Sequence, residues 1–157
     1  MANNQKKYVG LLGGSFDPAH KGHLGISQIA IKKFRLKKVY WVITKKNPFK
    51  KKTFYSLEER IRYAKKITNS QKKIKTMYLD EIIKSSRTAD VINYFINKKN
   101  IKNIYLIIGS DNLIGFHKWK SWKKIVKKVK LIVFSRKGYD RKGMKSTVVK
   151  HFKNKIT

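Results

Sequence analysis

Gly13-Gly14-Ser15-Phe16-Asp17-Pro18-Ala19-His20-Lys21-Gly22-His23 follows directly on Tyr8-Val9-Gly10-Leu11-Leu12. The five residues before the string suit a buried strand. The two glycines end that strand without side-chain bulk, permit a tight turn and let amide N–H groups face a ligand. Pro18 stiffens the loop, and Leu24-Gly25-Ile26-Ser27-Gln28-Ile29-Ala30-Ile31 then carries the apolar spacing of a helix packed on a sheet. A helix starting near Gly22 puts His20 just ahead of its first turn and His23 on it. Both imidazoles then converge at the positive end of the helix dipole, where unpaired amides suit a phosphate. The pattern is neither the G-x-G-x-x-G dinucleotide fingerprint nor a Walker loop, which ends in Gly-Lys-Ser/Thr. An isolated H-x-x-H pair is more often surface decoration, so the weight rests on the whole eleven-residue string.

Working outward, the chain alternates between strand and helix. Strands are expected at 8–12, 39–43, 74–78, 104–108 and 129–134. Ser56-Leu57-Glu58-Glu59 reads as a capping box opening an amphipathic helix over 58–67. Thr88 is expected to cap another helix, through about Asn97, that buries Val91, Ile92, Phe95 and Ile96. Such alternation predicts an α/β fold in one domain spanning 1–157: a Rossmann-like three-layer α/β/α sandwich around a five-stranded parallel sheet. With strand order 3-2-1-4-5, the first and fourth strands are neighbours at the topological switch point, where ligands bind. The loops Gly13-Gly14-Ser15 and Gly109-Ser110-Asp111 are therefore expected to share one cleft.

Composition sets outer bounds. The 157 residues, 41% of them hydrophobic, suffice for one cored domain and fall short of two ordinary ones. The absence of cysteine excludes disulfides and thiolate metal sites. No apolar run reaches the roughly 18 residues of a membrane span, and no signal-peptide core precedes the first strand, so a cytoplasmic protein without membrane partners is expected. The formal net charge of +32 invites an RNA-binding reading. Yet the excess is lysine spread from Lys6 to Lys155, with no RNA-recognition motif, so only nonspecific polyanion binding at low salt is expected from it.

The string 13–23 closely resembles the nucleotidylyltransferase family with its (H/T)xGH motif, met here by His20-Lys21-Gly22-His23. Within that family the preceding Gly-Gly-Ser-Phe-Asp-Pro is similar to the nicotinate mononucleotide adenylyltransferases. The resemblance spans roughly residues 8–140. It implies ATP contacts from Gly13, Gly14, Ser15, Phe16, His20, His23, Gly109 and Asp111, with both histidines catalytic. For the acceptor it implies Lys50 in Asn47-Pro48-Phe49-Lys50, Thr88 and Asp90 in Thr88-Ala89-Asp90, Trp119, and Arg136 after the fifth strand. Thr88 would read the nicotinate carboxylate, Trp119 would stack on the pyridine and Arg136 would touch phosphate. Each segment also has an ordinary structural reading, and for Trp122 a core position is favoured.

The implied reaction transfers adenylyl from ATP to nicotinate mononucleotide, with protonated imidazoles adding charge where it develops and magnesium arriving on ATP instead of in a protein site. A pantetheine-phosphate adenylyltransferase, an RNA-binding protein and an inactive nucleotide-binding relative are the alternatives. Three departures stand out. Arg87 replaces the aromatic common before the family's threonine, and Lys137 replaces a proline. The family's Ile-Ser-Ser-Thr-x-Ile-Arg segment, which holds ATP phosphates, has no match before Thr157, implying a weaker, salt-dependent ATP site. The number of subunits is not legible.

Overall fold

The strands follow the expected alternation, with β1 at Val9–Gly14, β2 at Lys38–Ile43, β3 at Ile74–Tyr78, β4 at Ile104–Gly109 and β5 at Lys130–Phe134. The computed structural model describes residues 7–46 and 52–157. The strands of this sheet pair in parallel, in the order β3-β2-β1-β4-β5, so β1 and β4 are neighbours at the switch point. Helices α1 (Lys21–Phe34) and α2 (Leu57–Thr68) link the first three strands. Short α3 (Asp80–Ile83) and α4 (Thr88–Asn97) lead from β3 to β4. Beyond β4 come α5 (Ser110–Gly115), a 3-10 turn at Phe116–Lys118 and α6 (Trp122–Lys128), and beyond β5 come α7 (Asp140–Met144) and α8 (Thr147–Phe152).

Alternation along each strand makes two cores. Leu12, Trp41, Ile43, Ile107 and Ile132 face one side with Ala30 of α1 and Ala64 of α2. Val9, Leu11, Leu106, Ile108 and Leu131 face the other with α4, α6 and α8. Strands buried on both faces read as apolar runs, which is why the parallel sheet was legible. The outer edge of β5 is also paired, because Thr157 N–H donates to the Leu131 carbonyl at 2.9 Å and its own carbonyl accepts from Val133 N–H at 2.8 Å. Covering an edge in this way blocks strand addition by another chain.

The structure corrects three local expectations. β1 does not stop at Leu12: Gly13 pairs with Val42 and Gly14 with Ile43, so the ladder satisfies the glycines and the turn begins at Ser15. Ser110 and Asp111 do not form a loop after Gly109 but are the first turn of α5. Thr88 is the first helical residue of α4, not its cap; Arg87 holds the cap position without a side-chain cap bond. There the Ser85 hydroxyl does the satisfying, accepting Arg87 N–H at 3.0 Å and donating to Asp90 Oδ2 at 2.6 Å. Lys50, and the whole of 47–50, lies outside the described residues. The capping box of α2 is formed as expected, Glu59 N–H meeting Ser56 Oγ at 3.2 Å and Ser56 N–H meeting Glu59 Oε2 at 3.1 Å.

Candidate active site

His20 is the N-cap of α1, and its Nδ1 accepts the Gly22 amide at 3.0 Å. His23, three residues on, returns the bond: its Nδ1 accepts the His20 amide at 3.2 Å. Histidine thus fills both places of a capping box that serine and glutamate usually fill. Nδ1 of each ring is thus engaged by a main-chain amide, and Nε2 is the nitrogen that takes no part in the capping box. The rings lie 4.0 Å apart at 37°. Gly22 leaves room for this ring, since an added Cβ would stand 2.7 Å from His20 Cε1.

A rigid floor lies under the histidines. Phe16 is buried at φ 47°, a left-handed conformation costly for a bulky residue, about 1–3 kcal/mol. Its ring sits 4.7 Å from His23 and stacks at 5.1 Å on Trp41. Trp41 donates through Nε1 to Ser27 Oγ at 2.8 Å, and Ser27 donates on to the His23 carbonyl at 2.8 Å. Indole, hydroxyl and carbonyl thereby tie the first turn of α1 to the sheet. Gly13 and Gly14 are different: a Cβ at either would meet protein atoms only at 3.8 Å or more. The chain itself does not need the room these glycines leave.

The β1–α1 loop is pinned to the next connection. Asp17 accepts Phe54 N–H at 2.6 Å and Tyr55 N–H at 2.8 Å, fixing the approach to α2. Arg60 of α2, only 2% exposed, reaches the Ser15, Thr44 and Lys45 carbonyls. Asp80 is also buried and accepts Lys45 N–H at 2.8 Å and the Ser86 hydroxyl at 2.5 Å. A cavity of about 310 Å³ opens beside it between Lys45, Lys46, Tyr78 and Lys84 to Ser86.

Past β4 and β5 a second constellation forms. Asp111 and Arg136 make an ion pair at 2.8 Å. The Ser110 hydroxyl accepts Arg136 N–H at 2.9 Å. Asp140 accepts the Ser135 hydroxyl at 2.6 Å and Arg136 N–H at 3.1 Å. Hydrogen bonds from Ser110, Ser135 and the Arg136 amide hold its carboxyl below the ordinary 3.8. Trp119 is half-buried, its ring tilted by 30° against Phe116 at 4.6 Å. Trp122 packs edge-on against Phe152 at 5.8 Å, in keeping with the core position favoured for it. Thr88 and Asp90 begin α4, and Asp90 shares a small cavity with Ser121 ahead of α6.

The structure therefore gathers His20 with His23 and Phe16, and Asp111 with Arg136, in separate contact groups. Sequence reading missed Arg60, Trp41, Ser27 and the anchoring role of Asp17. Arg60 did leave a signal, because it stands between Leu57 and Ala64 on the apolar face of α2. Among the described residues no three His, Cys, Asp or Glu side chains gather to hold a metal, and no helix is long and apolar enough to cross a membrane.

The sequence profile of the cytidylyltransferase-like family matches residues 11–156, both constellations included. The chain belongs to this family. Among cytidylyltransferase-like relatives, a protein of Pelagibacter ubique named "Probable nicotinate-nucleotide adenylyltransferase" is 51% identical over 144 residues, covering 92% of this chain and 79% of the relative. A protein of the same name from Bradyrhizobium sp. strain ORS 278 is 36% identical over 129 residues, covering 82% and 67%. The fold is also that of Plasmodium falciparum nicotinic acid mononucleotide adenylyltransferase complexed with NaAD, with a TM-score of 0.73 at 20% identity, covering 88% of this chain and 70% of that one. The same enzyme complexed with APC gives a TM-score of 0.72.

Proposed function

We propose that this protein transfers the adenylyl group of ATP to nicotinate mononucleotide, giving nicotinate adenine dinucleotide and pyrophosphate. The observation that carries the reading is the pair of imidazoles at the start of α1, His20 as its N-cap and His23 in its first turn, beside two glycines whose side-chain space no described residue fills. A 51% identical relative that bears the adenylyltransferase name supports the choice of reaction. A phosphate oxygen of the mononucleotide attacks the α-phosphorus in line, the bond to the bridging oxygen breaks, and pyrophosphate leaves with both electrons of that bond. No covalent intermediate forms on the protein. What the protein supplies is position and fixed donors: His20 and His23 stabilise charge growing on the α-phosphate and leaving group. Gly13 and Gly14 at the end of β1, with Ser15 and Phe16 in the turn beyond, lie against the ATP phosphates, with Gly109 and Asp111 on the ribose side. Magnesium comes as part of the ATP substrate, because donors rather than clustered carboxylates line the site.

On the acceptor side, Thr88, Asp90, Trp119 and Arg136 hold the mononucleotide, together with Lys50. Arg136, 64% exposed, is free to meet a phosphate while Asp111 orients it. The net charge of +32 draws both polyanions, and other polyanions nonspecifically at low salt, but such attraction is screened beyond about 8 Å at physiological salt. The field brings substrates near without placing the α-phosphorus. Pyrophosphate release measured with ATP and each acceptor tests the reading: turnover with nicotinate mononucleotide is expected. Preference for phosphopantetheine would overturn it, as would no turnover with either beside RNA binding that survives physiological salt.

Trp119 gives a separate prediction. Its half-buried ring is supported by Phe116 and offers a face for stacking. Trp119→Ala is expected to weaken mononucleotide binding by about 1–3 kcal/mol, as base–aromatic stacking does, with ATP binding nearly unchanged. Calorimetric titration of each ligand separates the outcomes, since equal loss of both with a lowered Tm would make Trp119 a packing residue.

A further inference from the structure

Arg60 is 2% exposed, and every hydrogen bond it makes among the described residues goes to a main-chain carbonyl. Nη1 donates to Ser15 and Thr44, both at 2.8 Å, and Nη2 to Lys45 at 3.2 Å. An arginine cannot shed its charge, so burying one is costly unless its donors are met. Here Nη1 and Nη2 are met by two different loops, while the buried Nε has no hydrogen-bond partner among the described residues. Ser15 is the first residue past β1, adjoining Phe16 and the histidine cap; Thr44 and Lys45 are the first residues past β2. Asp80 grips the same peptide from the other side through Lys45 N–H.

We infer that Arg60 is a positioning residue for adenylyl transfer: its planar fork holds the loop after β1 in register with the chain leaving β2, and so sets the phosphate loop and its histidines against the acceptor side. The inference rests on the proposed function. A planar fork can bridge carbonyls of separate loops in a fixed plane, whereas the lysine ammonium is a point donor on a flexible stem. Charge and volume alone therefore do not replace it. In-line attack is sensitive to such register, because a displacement of about 1 Å can cost a hundredfold in rate.

The test compares wild type, Arg60→Lys and Arg60→Met in pyrophosphate release, with ATP and nicotinate mononucleotide varied in turn, well below each protein's Tm. Arg60→Lys is expected to stay folded and to lose at least tenfold in kcat, with KM for each substrate within about threefold, the signature of misplacement and not of lost binding. Arg60→Met is expected to lose more; should it fail to fold, Arg60→Lys carries the comparison. Wild-type kcat in a folded Arg60→Lys protein would overturn the inference and leave Arg60 as fold support. A fall in kcat no larger than the loss of folded protein would do the same. Inactivity of the wild type with both substrates would overturn the proposed function itself, a result distinct from either.

Discussion

Replacement of His20 or His23 by alanine is expected to lower kcat by about 10²–10³, the usual loss when one fixed donor to a developing charge is removed. Each change also breaks half of the histidine capping box, and loss of an N-cap costs about 1 kcal/mol. That is small beside the 5–15 kcal/mol of a typical domain, so the variants should remain folded and the activity loss cannot be unfolding. His20→Asn separates the two effects. Asparagine is a strong N-cap and keeps an acceptor for the Gly22 amide, but it offers no Nε2–H at the imidazole's reach. Its Tm should return toward wild type while kcat stays low. Near-normal turnover in all three variants, measured by pyrophosphate release, would reduce the histidines to helix-end decoration.

This duality explains why the site was legible only in part. The string 13–23 announced a turn, a helix start and two imidazoles, and the fold placed His20 as the cap as expected. Which ring nitrogen meets the main chain could not be read, because it depends on backbone amides that reach the rings only once the first turn is wound. The alternation of strand and helix was legible for a similar local reason, as apolar runs between amphipathic helices, whereas the strand order was an assumption taken from Rossmann-like folds. Strand ends were not legible, since Gly13 and Gly14 read as a turn while pairing with β2 kept them in the ladder. Thr88 looked like a cap by type, yet Ser85, upstream in the turn, supplies the bonds through its hydroxyl. Contacts far apart in the chain were invisible. Arg60 lies 45 residues from Ser15, and Asp17 lies 37 from Phe54, so no local pattern links them. The only trace was a charged residue on an apolar helix face, the pattern of a buried polar group with fixed partners.

Gly22→Ala is the sharper test, because stability and activity should part company. Gly22 is in the first turn of α1, where alanine normally gains up to about 1 kcal/mol over glycine. Against that gain stands the added Cβ, 2.7 Å from Cε1 and 2.8 Å from Nδ1 of His20. Those atoms belong to the free end of a side chain, so the ring rotates away instead of the helix shifting. The loss is then the cap bond to the Gly22 amide, again about 1 kcal/mol. The two terms nearly cancel, and Tm should change little. Turnover has no such compensation. A rotated ring moves Nε2 off the α-phosphate and breaks its 4.0 Å stack with His23, so kcat should fall by about 10–100-fold. Alanine at a position whose φ suits it would otherwise be among the mildest substitutions a helix accepts. Melting curves and steady-state rates on one preparation decide the matter: an unchanged Tm with unchanged kcat would show that the His20 ring can leave its cap without consequence, and the donor role assigned to it would fall.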